Sequence, residues 1–239
     1  MASASCYPAF KKKEIEGNQY IDGGIFDNLP INLALSLGAT EIIAVDLSAP
    51  GIIRKPKKKV PTIKIKPRNK LTNFLNFNEE GAKRNINLGY NDTLKELGKL
   101  EGIKYTFKKG TINKNKKKHL EAMIYILEDI FNNKKTLENF LNLINLSSTS
   151  KEKVINKITI KLMESLGKDF KLEDDKIYSE RKFNKLLRKK LKKENNKEIA
   201  HLKNWIKEIK EKKKGVKKKA LLDPFGFLKG LYLFTISEV

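Results

Sequence analysis

Few side chains in this sequence can do chemistry, and Asp22 has the most specified surroundings of them. It opens the tripeptide Asp22-Gly23-Gly24 within NQYIDGGIFDNLPINLALSLGATEIIAVDL, residues 18–47. A carboxylate beside two glycines can accept a proton at a tight bend, because chain without Cβ atoms passes close to a reacting group. Taken alone, the tripeptide is better explained as a plain turn. The other candidates thin out quickly. The only histidines, His119 and His201, lie far apart on lysine-rich segments with no cysteine at ligand spacing, so no metal site is expected. The same shortage leaves no Ser-His-Asp triad in the ordered region, and no glycine-rich phosphate loop calls for a cofactor. A G-x-S-x-G elbow needs glycines four apart. Only Gly98/Gly102 and Gly226/Gly230 have that spacing, and they centre on Leu100 and Leu228, so the chain holds no serine elbow.

The elements that must hold Asp22 form an α/β unit. Gly17-Asn18 is expected at the centre of a two-residue hairpin turn. After the bend at Asp22, Asp27 or Asn28 is placed to cap a helix with Pro30 in its first turn, ending at a left-handed Gly38. Ile31, Leu33, Ala34, Leu35 and Leu37 cover most of that helix, which predicts burial on all sides. EIIAVDL (41–47) predicts a strand covered on both faces of a parallel sheet. TIKIK (62–66), GYNDTLKELGKL (89–100) and IKYTFK (103–108) predict a strand, a helix and a strand.

Composition divides the rest. The chain has 239 residues, 51 Lys+Arg against 28 Asp+Glu, and a net charge of +23. Such an excess favours phosphate-bearing partners, although lysine and asparagine are both abundant, as AT-rich coding produces. Residues 48–78 contain no acid. Domain boundaries are expected at 1–110 for the α/β unit, 111–219 for a helical lysine-rich region and 220–239 for an apolar segment docking on a core. In the middle region HLEAMIYILEDIF (119–131) and TLENFLNLINL (136–146, capped by Thr136) have helical spacing. Residues 181–214 carry Phe183, Leu187, Leu202, Trp205 and Ile209 in a helical stripe broken at Asn195-Asn196. Eighteen basic and four acidic residues fall between 181 and 219, a net of +14. Cys6, the sole cysteine, excludes an internal disulfide and is expected as a small buried apolar residue. No run reaches the eighteen or so apolar residues needed to cross a bilayer. With no export signal either, a cytoplasmic chain, at most peripheral to a membrane, is expected.

The passage from Ala2 to Leu47 resembles the C-terminal half of the patatin-like phospholipase domain. An Ala-Ser-x-Ala-x-x-Pro-x-Phe segment matches Ala2 to Phe10, and Tyr-x-Asp-Gly-Gly matches Tyr20 to Gly24. An Asn-x-Pro helix start matches Asn28 and Pro30, followed by Gly38-Ala39 before the next strand. The resemblance covers roughly residues 2–110. It implies a partial three-layer α/β sandwich, a parallel-sheet remnant followed by the basic helical region. It also implies a lipid acyl hydrolase that cleaves phospholipid or related esters with a Ser-Asp dyad. Asp22 is then the proton acceptor, Gly23 and Gly24 complete its motif, and Asn28 and Pro30 support it. The family's serine elbow and oxyanion loop belong to an N-terminal half with no counterpart here. The chain is therefore expected to be a truncated or frameshift-separated part of a longer hydrolase, inactive alone and completed by the other half if that is encoded separately.

A second reading makes the chain a basic binding protein contacting an anionic membrane through 181–219, with lysines snorkelling and Trp205 at the interface. Nucleic acid is the weaker partner for that segment, because arginines and aromatics are sparse and no recognised module is present.

Overall fold

The computed structural model describes residues 2–73, 76, 78–110, 122–123, 125–132, 135, 139, 142 and 151–237, with side chains in the last stretch from 158 onward. Residues 125–130 are helical, within the predicted 119–131. His119 and most of the predicted 136–146 helix, with its Thr136 cap, lie outside the described residues. The protein is mixed α/β, with small antiparallel, parallel and mixed sheets. It forms two compact units, Met1–Leu97 and Gly98–Val239.

In the first unit, β1 (Lys13–Ile15) and β2 (Asn18–Tyr20) form an antiparallel hairpin. Its two turn residues are Glu16 and Gly17, at φ of +51° and +76°, one residue earlier than expected. Two successive positive φ values match the right-handed twist of the strands, and here Glu16 accepts the first of them. A short helix α1 (Gly24–Asp27) and α2 (Ile31–Ser36) follow, and Gly38 closes α2 at φ +91° as expected. β3 (Ile42–Val45) pairs in parallel with β4 (Thr62–Ile65) in the register Ile43↔Ile63 and Val45↔Ile65. α3 (Glu79–Glu96) packs on β4 and starts ten residues before the predicted segment, capped by Asn78, whose side chain accepts from Gly81 N–H at 2.6 Å.

Burial in this unit departs from expectation. No residue of α2 is buried, and Leu33 and Leu37 are exposed. Ile43 and Val45, on one face of β3, are 68% and 58% exposed, while Ala44 on the other is buried. β4 is the only strand paired to β3 among the described residues. The apolar pattern was written for cover on both faces, and the described residues supply it on one. Cys6 is exposed, not buried as expected, although its neighbour Ser5 is buried.

The second unit holds the large core. β5 (Leu100–Glu101), β6 (Thr106–Lys108) and β7 (Ile177–Tyr178) form a mixed sheet. Because β6 pairs with β7 and Phe107 is fully buried, residues 98–110 belong with the helices and not with the first unit. Around them lie α4 (Lys151–Asp169), α5 (Glu180–Lys193), α6 (Lys197–Lys210), α7 (Val216–Leu222) and α8 (Pro224–Ser237). Asn196 breaks α5 from α6 by capping the latter, its side chain accepting from Ile199 N–H at 2.9 Å. α8 packs against α4, α5, α6 and α7, and nine of its residues are buried. The segment read as an apolar tail is thus the central helix of this unit.

Trp205 does not stand at an interface as expected, but in the core. It is 4% exposed, packs edge-on against Phe227 with ring centroids 5.4 Å apart, and donates from Nε1 to Asp223 Oδ2 at 3.0 Å. Phe183, Leu187, Leu202 and Ile209 are buried with it. The stripe is spent on the unit's own core, and the outward face of α5 and α6 is polar and mostly basic. Gly226 and Gly230 serve that packing. A Cβ on Gly230 would lie 2.5 Å from Trp205 Cβ, so the missing side chain lets α8 approach α6.

Candidate functional site

Asp22 follows directly on the hairpin. Its N–H donates to Ser5 O at 3.0 Å, which joins the Ala2–Phe10 segment to the Tyr20–Gly24 segment. The carboxylate is half-buried, and Oδ1 accepts the Gly24 N–H at 2.7 Å. Among the described residues nothing donates to Oδ2. One oxygen is therefore fixed by the backbone while the other keeps its lone pairs for an outside proton.

The two glycines differ in what they do. A Cβ on Gly24 would fall 3.1 Å from Asn28 Oδ1 and 3.2 Å from Asp22 Oδ1, so a side chain there would press on the carboxylate. Gly23 has open space around it and an ordinary helical φ of −62°. Its place in the motif has no steric cause here.

Asn28 and Pro30 hold the bend by a route the sequence did not disclose. Pro30 occupies the N-cap of α2 and no side chain caps that helix. Asp27 Oδ1 instead accepts from Leu29 N–H and Arg54 N–H, both at 3.3 Å. Asn28 closes α1 and reaches the loop after β3: its Nδ2 donates to Ala49 O at 3.1 Å and its N–H to Ile52 O at 2.6 Å. Ile52 N–H returns to Gly24 O at 3.2 Å. The Asp22 turn, α1 and residues 49–54 are thereby laced together. A Cβ on Gly51 would meet Asn28 Cβ and Gly24 O at 2.9 Å, which makes glycine necessary at that crossing, where φ is +155°.

Sequence reasoning missed Asp46. At the carboxyl end of β3 it is buried, accepts Ser48 N–H at 2.8 Å, and pairs with Lys64 at 3.0 Å and Lys66 at 3.1 Å. The Ser48 hydrogen bond, then those from Lys64 and Lys66, outweigh the cost of burial and hold its pKa down at about 2, against 3.8 ordinarily. The alternation of Lys64 and Lys66 on β4, opposite an acid ending an apolar run, was the available signal. Because the folded-state value is depressed, its contribution to stability is complete above 3.8 and is lost as pH falls toward about 2. Asp46→Asn is accordingly expected to remove that step from the acid titration of the first unit, and to speed hydrogen exchange of the β3 amides at neutral pH. Unchanged exchange and an unchanged acid step would refute it.

The second unit holds a further polar cluster. Asp223 Oδ2 accepts from His201 Nε2 at 2.8 Å and from Trp205 Nε1, while Oδ1 accepts Gly226 N–H at 3.0 Å at the start of α8. Burial alone would raise the Asp223 pKa, and these donors bring it below the ordinary value. His201 is exposed at this rim and pins α6 to the α8 cap. Among the described residues there is no group of acids, histidines and cysteines able to hold a metal ion, and no helix long and apolar enough to cross a membrane.

Comparison of the chain with family models, with curated proteins and with solved structures returns no match.

Proposed function

We propose that residues 2–97 are the proton-accepting half of a patatin-like lipid acyl hydrolase, with the nucleophilic serine on other polypeptide that docks along β3. The observation that carries this reading is the pairing of a half-buried carboxylate, free on one oxygen, with a two-stranded parallel remnant whose apolar face is open at Ile43 and Val45. Such an uncovered face and edge ask for cover. On this reading β3 and β4 are part of a larger three-layer α/β sandwich.

In that assembly Asp22 Oδ2 takes the serine O–H proton as Oγ attacks the ester carbonyl of a phospholipid or related lipid. The Gly24 N–H on Oδ1 keeps the carboxylate turned toward the serine. Donors on the other half stabilise the oxyanion. Collapse breaks the ester C–O bond, and Asp22 returns the proton to the departing alcohol. Water, deprotonated by Asp22, then attacks the acyl-serine ester; as the C–Oγ bond breaks, Asp22 returns that proton to Oγ, which frees the serine and the fatty acid.

The chain alone is expected to hydrolyse p-nitrophenyl butyrate no faster than its Asp22→Asn variant. Joined in trans or by fusion to a patatin-type segment carrying G-x-S-x-G, it should become active. Asp22→Asn should then cut the rate on the order of 10²–10⁴-fold. Reconstituted turnover that ignores Asp22→Asn, or turnover by the isolated chain that the variant abolishes, would overturn the assignment.

A further inference from the structure

The first unit contains a second feature that the Asp22 chemistry does not use. Between α2, β4 and the loop at 53–60 lies an open cleft of about 500 Å³, well within the roughly 300–1,000 Å³ of small-molecule sites. Leu29, Ile31, Ile53, Pro56 and Val60 are its apolar lining residues. Its lining includes Arg54, Lys55, Lys58, Lys59 and Lys64 and no acid. Lys64 is committed to Asp46 at 3.0 Å. No carboxylate pairs with the side chains of the other four among the described residues; Arg54 Nε donates to Phe26 O at 3.0 Å, and Lys55, Lys58 and Lys59 keep their ammonium groups unpaired.

The cleft is built into the fold. Asn32 Nδ2 donates to Lys55 O at 2.9 Å, and Asn32 Oδ1 accepts Lys57 N–H at 2.8 Å. With Arg54 N–H on Asp27 and the Arg54 guanidinium 4.2 Å over the Phe26 ring, the basic rim is bolted to α1 and α2. A rim fixed beforehand spares a ligand the cost of ordering it.

We infer that this cleft binds a single-chain anionic amphiphile, its alkyl chain against Leu29, Ile31, Ile53 and Val60 and its head among Arg54, Lys55, Lys58 and Lys59. Apolar walls under an unneutralised cationic rim complement that shape of molecule. The phosphates of a nucleic acid would satisfy the rim and leave the walls wet. A neutral chain would fill the walls and leave four cations idle. The head can be a carboxylate or a phosphate monoester, since lysines accept either as point charges. Asp22 is not among the lining residues, so the inference stands or falls apart from the hydrolase reading.

The test is an NMR titration of the full chain with octanoate, decanoate, dodecanoate, dodecyl phosphate, dodecanol and inorganic phosphate, each below its aggregation threshold. Shifts are expected at the Leu29 and Val60 amides, with affinity rising about fourfold per methylene from octanoate to dodecanoate. Dodecanol should bind at least tenfold more weakly, and inorganic phosphate should not displace dodecanoate. The relative affinities of dodecanoate and dodecyl phosphate tell a fatty-acid site from a lipid-phosphate site, and both support the inference. Lys58→Glu/Lys59→Glu should weaken the anionic probes at least tenfold and leave dodecanol unchanged. Lys192→Glu/Lys193→Glu makes the same charge change on exposed lysines of α5 and should alter neither. Ile53→Asn, at a partly exposed site, should weaken every chain-bearing probe while the β3 amide shifts show the unit still folded. Three results overturn the inference: equal weakening by the α5 pair, dodecanol binding as tightly as dodecanoate, or competition by inorganic phosphate at similar concentration.

Discussion

Trp205→Ala is expected to lower the melting temperature of the second unit by roughly 10–20 °C, the equivalent of about 3–5 kcal/mol for a large aromatic removed from a packed core. The indole fills the junction of α6 and α8, and its Nε1–H is one of the donors that keep the Asp223 carboxylate charged at the head of α8. Truncation opens a cavity against Phe227 and withdraws a donor from a partly buried acid, and the two losses fall on one helix pair. Trp205→Phe restores most of the ring but not the donor, so it should recover more than half of the loss. The chain has a single tryptophan, so its emission reports directly on this site. It should not shift when anionic vesicles are added to the folded protein. A shift without unfolding would restore the interfacial role that burial removes.

Gly230→Val should cost roughly 3 kcal/mol or more, read as a melting-temperature fall of about 10 °C in the same scan. Alanine or valine would normally gain over glycine inside a helix. Here the new Cβ lands 2.5 Å from Trp205 Cβ, an atom tied to the α6 backbone that no rotamer can move aside. Combining Gly230→Val with Trp205→Ala tests the geometry, because alanine keeps the offending Cβ. The double variant should show no rescue, whereas relief by Trp205→Ala would mean that the ring, and not the backbone approach, sets the limit.

Local structure was readable where a short run of residues decides it. Gly38 closing α2, Asn196 splitting α5 from α6, and the strands at IIAV and TIKI follow from turn chemistry, caps and strand composition. The hairpin turn moved by one residue, to Glu16-Gly17, because two residues with positive φ fit the strand twist, whichever of them is glycine. What a residue packs against was much less legible. The stripe containing Trp205 has the period of a buried helix and equally of an interfacial one, and only α8 decides between them. Leu33, Leu37, Ile43 and Val45 carry the composition of buried residues and are exposed, because burial belongs to the pair of surfaces and one of each pair is not described.

The candidate site was legible to the same degree. Motif order singled out Asp22 and the Ala2–Phe10 segment without disclosing the hydrogen bond that joins them, and Gly24 has the close neighbours its type implies. The bracing of Asn28 against Ala49 and Ile52, and the pairing of Asp46 with two lysines, join residues about twenty apart in sequence. Sequence spacing carries no signal for them until β3 and β4 are placed in register.

The position of α8 has a consequence for synthesis. The helix that the other four close upon is the last of them to leave the ribosome. Until α8 has emerged, the nascent chain displays Trp205, whose ring packs on Phe227 of that helix, on a strongly cationic segment without that cover. Chaperones that hold exposed apolar stretches would meet it in that interval, and a ribosome stalled before Pro224 would release a product unable to close.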